Sequence, residues 1–195
     1  MRELRRILVI NGHPDPTEVH YCHALVDDYL AGAVEGGHEH RRLDLAQVEV
    51  PYLRSRAEWE RTPPPATLAR AADLVAWADH LVFIFPLWLG TMPALLKAFL
   101  EQILRPLPSS TLGPELIPRE RLEGKSARVI VPMGRAGGWY CLPAKPPGVR
   151  ELEHGILRAC GASPVEFTLI ASVERDSAGR ERARATVREL GKRGR

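Results

Sequence analysis

Cysteine is scarce: Cys22, Cys141 and Cys160 are the only three in 195 residues. An odd, widely spaced set does not make a disulfide scaffold and suits a reduced, cytoplasmic compartment. Long apolar runs are also missing. The run Leu81–Pro86 falls far short of the roughly 20 residues a membrane-spanning helix needs, so no integral membrane segment is expected. The N-terminus turns strand-like at once (Leu4, Ile7, Leu8, Val9, Ile10), without the apolar region and small-residue cleavage site of a signal peptide. Charge of one sign is not concentrated. The net charge is +3, but Arg5-Arg6, Arg41-Arg42 and Lys192-Arg193-Gly194-Arg195 are scattered pairs or tail, not the basic footprint nucleic acid requires. The C-terminal stretch 191–195 reads as a frayed, solvated end. His38 and His40 alternate on a polar strand with no further ligand candidates nearby, so no metal is expected and they read as solvated.

What is present is ordinary globular material, 45% hydrophobic and 26% charged, enough for one sizeable α/β domain spanning 1–195 and short for two. Strand and helix patterns alternate without repeats or a linker. Strands are expected at Leu4–Ile10, His38–Asp44, Leu81–Phe85, Ala127–Pro132 and Pro164–Ala171. Helices are expected at Val19–Val34 (stopped by Gly36-Gly37), Leu68–Ala78, Pro93–Leu104, Val149–Cys160 and Arg182–Leu190, with 45–65 and 105–124 as surface segments. This alternation implies a doubly wound five-stranded parallel sheet of order 2-1-3-4-5, whose switch point between the first and third strands is a flavin site.

Three strand exits fall on that edge: NGHPDPTEV (11–19), PLWLGTMP (86–93) and MGRAGGWY (133–140). The first runs straight into a helix, whose N-terminus and loop amides suit a phosphate, with Thr17 adding a hydroxyl. It lacks the Gly-x-Gly-x-x-Gly of a dinucleotide fingerprint. His13 and Thr17 are equally compatible with turn and cap chemistry. The second offers Trp88, Gly90 and backbone N–H groups to a flat ring, or else Trp88 plugs the sheet edge. The third has Gly134, Gly137 and Gly138, which permit close backbone approach, followed by Trp139-Tyr140; a merely flexible glycine loop reads the same way.

Taken together, ILVINGHPDP, LVFIFPLWLGTMPALLKAFLEQIL, MGRAGGWY and HGILRACG resemble the flavodoxin-like NAD(P)H:quinone oxidoreductase family, DT-diaphorase and bacterial quinone reductases included. The resemblance implies a bound flavin (FAD or FMN), NADH or NADPH as hydride donor, and a quinone or other small aromatic acceptor in ping-pong order. By it, His13, Thr17, Val19 and His20 surround the flavin phosphates, and Pro86, Leu87, Trp88 and Leu89 carry the isoalloxazine. Gly134, Gly137, Gly138 and Tyr140 border its pyrimidine side and the nicotinamide or quinone pocket, with Tyr140 the catalytic donor. Some relatives are regulatory subunits of potassium-efflux systems, the alternative from another class; a flavodoxin-type electron carrier fits less well. Two departures stand out. Glu18 replaces a small hydroxyl residue facing the phosphate and either turns outward or weakens flavin binding, and no histidine follows Tyr140 in 141–148, where Lys145 is the nearest substitute. The helix Pro93–Leu104 has only Lys97, Glu101 and Gln102 as polar residues and is expected to pair with a second copy in a homodimer, the alternative being that the 105–124 segment covers its outer side.

Overall fold

The computed structural model describes residues 3–105, 121–134, 146–171 and 177–195. Five strands, β1 (Arg6–Asn11), β2 (Glu39–Asp44), β3 (His80–Ile84), β4 (Ser126–Pro132) and β5 (Val165–Ile170), form one parallel sheet in the order β2-β1-β3-β4-β5. This is the flavodoxin-like order that the alternation of patterns predicts. The helices are α1 (Tyr21–Gly36), α2 (Arg56–Arg61), α3 (Ala69–Trp77), α4 (Ala94–Leu104), α5 (Pro147–Arg150, continued by a π-helical stretch Glu151–Arg158) and α6 (Ser177–Arg193).

Alternation along each strand divides the core between the two sheet faces. Ile7 and Val9 of β1, with Val82 and Ile84 of β3, pack against Cys22, Leu25, Val26 and Tyr29 of α1 and Val187 of α6. Leu8 and Ile10, with Leu81 and Phe83, face the opposite side with Leu96, Phe99 and Leu100 of α4. Burying such a side chain fully contributes roughly 1.5–3 kcal/mol, so the central strands, buried on both faces, dominate the stability. The edge strand β2 is mostly polar, as expected of an edge.

Register brings the exits of the central strands level. Asn11 pairs with Ile84 and Ile84 with Ile130, so the segments after β1, β3 and β4 leave the same sheet edge.

Four expectations need correction. The 191–195 end is packed, not frayed: α6 runs to Arg193, Tyr29 Oη donates to the Arg195 carbonyl at 3.0 Å, and Arg5 donates to the Gly194 carbonyl at 3.1 Å. Glycine makes that docking possible, since a Cβ at Gly191 would fall 2.0 Å from the Tyr29 carbonyl oxygen and one at Gly32 would fall 1.9 Å from that of Arg188. His38 is buried, not solvated, and its Nδ1 accepts the Arg5 N–H at 3.2 Å. The 45–65 segment is not plain loop. It contains a 3₁₀ turn, Leu45–Gln47, and α2, whose N-cap Ser55 accepts the Glu58 N–H at 3.1 Å.

The fourth correction concerns α4. Leu96, Ala98, Phe99, Leu100, Gln102, Ile103 and Leu104 are all buried within the chain itself. Val48 and Val50 pack onto the same core, and Gln102 donates to the Pro51 carbonyl at 2.8 Å. The 45–65 segment therefore helps to cover the helix, and α4 needs no second copy to bury its apolar residues. No helix of the described residues is long and apolar enough to cross a membrane.

Candidate active site

The loop after β1 is tied down on both flanks. Asn11 Nδ2 donates to Asp44 at 2.9 Å, its own Oδ1 accepts the His13 N–H at 3.2 Å, and Gly12 N–H donates to the Ile84 carbonyl at 2.8 Å. His13 is thereby turned inward and buried. Its Nδ1 accepts the Asp15 N–H at 3.2 Å, which requires a neutral ring there. Burial first, then the nearby His20 and His23, lower its pKa to about 4.

His13 is where two of the three loops meet. Its ring stacks on His20 at 3.8 Å between centroids and meets the edge of Trp88 at 6.0 Å. His23 lies 6.0 Å from His13 and 6.1 Å from His20. The structure thus unites His13, His20 and Trp88, and adds His23, which the sequence reading omits. His23 sits three residues into α1 beyond the N-cap His20, and its Nδ1 accepts the His20 N–H at 3.1 Å; that spacing is the signal that could have marked it.

The other residues of the first loop point outward. Val19 is 90% exposed, and Thr17 is exposed with its hydroxyl and amide both donating to Asp15 Oδ1, at 2.6 and 2.8 Å. Asp15 Oδ2 pairs with His20 Nε2 at 2.8 Å. Glu18 is exposed, yet ligand atoms of Asp15, Glu18 and His20 lie within 4.8 Å of one another. The first turn of α1 contains no acidic residue to repel an anion, and it is closed by a capping box in which His23 Nδ1 accepts the His20 N–H.

The loop after β3 closes as a tight turn, with Trp88 and Thr91 exchanging N–H to carbonyl bonds of 2.9 and 3.0 Å. Leu89 and Gly90 occupy its tip at φ 47° and 81°. Leucine in the left-handed region is strained by roughly 1–2 kcal/mol, and here its side chain is wholly exposed. Leu87 N–H donates to the Pro132 carbonyl at 3.3 Å. The amides of Leu87, Trp88 and Thr91 are therefore engaged, whereas among the described residues those of Leu89 and Gly90 donate to no backbone carbonyl; Leu89 is exposed and Gly90 is buried. Pro86 and Leu87 are half-buried beneath them.

Gly148 at the start of α5 packs against this turn. A Cβ there would meet Thr91 Cβ at 2.4 Å and the Gly90 carbonyl oxygen at 2.6 Å. No local pattern marks this contact. Gly134 is half-buried just beyond β4; Gly137, Gly138, Tyr140 and Lys145 lie outside the described residues.

Residues 5–192 match the model of the Flavodoxin_2 family, described by its flavodoxin-like fold. A ribosyldihydronicotinamide dehydrogenase-like protein, traD, of Penicillium crustosum is 27% identical over 161 residues, 69% of this chain and 58% of that protein. The chain thus spans little more than half the length of that relative. Among solved structures, an NAD(P)H:quinone oxidoreductase from Methanothermobacter marburgensis superposes with TM-score 0.74 at 20% identity, over 97% of this chain and 96% of that one. An FMN-dependent NADH-azoreductase from Bacillus anthracis, solved with FMN, gives TM-score 0.70 at 16% identity, over 97% and 99%. Family match, strand order and switch-point loops agree, and the chain belongs to the flavodoxin-like family Flavodoxin_2.

Proposed function

We propose that this protein is a flavin-dependent NAD(P)H:quinone oxidoreductase, one flavodoxin-like domain acting in the cytoplasm on a quinone or similar small aromatic acceptor. The observation that carries the reading is the meeting of the first two switch-point loops at His13, between His20 at the mouth of α1 and Trp88 at the tip of β3. Similarity to a quinone oxidoreductase and an FMN-bound azoreductase supports it. So do the first turn of α1, free of acidic residues, and the exposed Leu89 at the tip of the second loop, which suit the phosphate and the polar edge of a flavin.

Bound flavin, FAD or FMN, supplies hydride transfer between NADH or NADPH and the acceptor. The protein's part is to hold and orient. The first-turn amides of α1, with Thr17 and His20, would hold the phosphate, with Val19 bordering it. Pro86 and Leu87 would lie beneath the ring with the Trp88 turn, and the Leu89 and Gly90 N–H groups would serve as its donors. Gly134, Gly137 and Gly138 would allow the third loop close approach, and the Tyr140 hydroxyl would donate where negative charge develops. Trp88 walls the pocket against water. Nicotinamide and acceptor take turns in one place, which is ping-pong order.

A homodimer belongs to the same reading, supported now by the exposed Trp88 and Leu89 at the pocket rim and by the family resemblance, not by α4. Steady-state assays test the function. Parallel double-reciprocal lines for NAD(P)H and a quinone are expected, and no quinone-dependent oxidation of either nicotinamide would refute it.

A further inference from the structure

Three donors at the mouth of α1 converge on an anion that the chain itself provides. The Thr17 N–H and Thr17 hydroxyl reach Asp15 Oδ1 at 2.8 and 2.6 Å, and His20 Nε2 reaches Oδ2 at 2.8 Å. Thr17 and His20 are residues that the proposed flavin site assigns to phosphate. Hydrogen bonds from Thr17, then His20, hold the Asp15 carboxyl far below the ordinary carboxylate range, so it carries a full charge at any working pH. Glu18 adds a second carboxylate within 4.8 Å. His13, the most buried imidazole nearby, is neutral above about pH 4 and does not offset that charge.

Resting on the flavin reading above, we propose that Asp15 is a resident anion of the phosphate loop and sets the loop's preference among flavins, favouring FAD over FMN. A phosphate monoester carries close to two charges at pH 7, because its second pKa is near 6. Each phosphate of a pyrophosphate diester carries one. Competing with Asp15 for the same donors, FMN brings both its charges on the one phosphate beside the carboxylate, whereas FAD divides the same total between that phosphate and a second one farther along, so FMN is penalised more. Riboflavin, with no phosphate, does not meet the penalty at all.

Asp15→Asn removes the charge and keeps an oxygen for the Thr17 amide and hydroxyl; Asp15→Ser keeps an oxygen for the amide alone and checks that the result does not depend on the asparagine. Dissociation constants for riboflavin, FMN and FAD are read by fluorescence quenching, and inorganic phosphate is titrated separately while the imidazole resonances of His20 and His23 are followed by NMR. The wild type is expected to bind FAD more tightly than FMN. Both variants are expected to bind FMN about tenfold more tightly, FAD less so, and riboflavin unchanged, with inorganic phosphate saturating at lower concentration. FMN and inorganic phosphate binding that is unchanged or weakened in both variants would overturn the assignment and leave Asp15 as a turn former. If no flavin binds any of the proteins while the variants gain phosphate affinity, the role of Asp15 stands and the flavin reading falls.

Discussion

Gly148 and Thr91 are in contact so close that a single added methyl at Gly148 would sit 2.4 Å from Thr91 Cβ. Thr91 Oγ1 at 2.5 Å and the Gly90 carbonyl oxygen at 2.6 Å are the next obstacles, and since the latter is backbone, a side-chain rotation alone cannot relieve the clash. The start of α5 thus fixes the height of the turn that presents Trp88 and Leu89. Gly148→Ala is expected to destabilise the protein by about 1–3 kcal/mol, the usual penalty of overpacking, and to push the turn outward. Thermal unfolding should show the loss, and Trp88 fluorescence together with flavin affinity should change with it. A variant with wild-type melting temperature and wild-type flavin affinity would show that the turn does not rest on Gly148.

Two buried imidazoles make the fold sensitive to acid. Burial disfavours the charged ring and holds His13 down to about 4 and His80 down to about 3, with the nearby His20 and His23 adding to the effect at His13 and Arg5 and Arg128 at His80. An unfolded histidine titrates near 6.5, so between pH 6.5 and 4 the unfolded chain binds more protons than the folded one. Stability from these groups is complete above about pH 6.5 and falls as pH is lowered. Urea midpoints measured across that window should decline, and His80→Gln should lessen the slope. A flat profile in the wild type would contradict the burial of neutral rings.

The fold was legible where a pattern is local. Runs such as Leu81–Ile84 are apolar throughout because β3 is covered on both faces, and the glycine stop at Gly37 adopts φ 77° as a helix end requires. The 45–65 segment was not legible, since α2 is only six residues long and the cover this segment gives α4 rests on contacts such as Gln102 with Pro51. Without that contact α4 looks short of a partner. The docked C-terminus was hidden for the same reason: a polar, basic helix reads as solvated until Gly32 and Gly191 bring α1 and α6 together. At the site, the turn residues of the first two loops could be read, but not the meeting of those two loops at His13 or the hold of Asp15 on Thr17 and His20.

Tyr140 provides a direct probe of charge stabilisation in the proposed reaction. Tyr140→Phe retains the ring and removes the donor, so flavin reduction is expected to slow about tenfold, equivalent to about 1.4 kcal/mol. Stopped-flow rates of reduction and reoxidation that match the wild type would remove Tyr140 from the mechanism.

Assembly is decided by sedimentation at low micromolar concentration. A dimer is expected, and Leu89→Asp at the exposed rim should weaken it and lower quinone turnover together, while flavin remains bound. A stable monomer with full quinone reductase turnover would refute both the dimer and its part in the pocket.

The central claim is tested most directly by anaerobic titration of the flavin-loaded protein. Addition of NADH or NADPH should bleach the oxidised flavin band with two-electron stoichiometry, and an equivalent of quinone should restore it. Protein that takes up no flavin, or whose bound flavin neither nicotinamide reduces, would contradict the account.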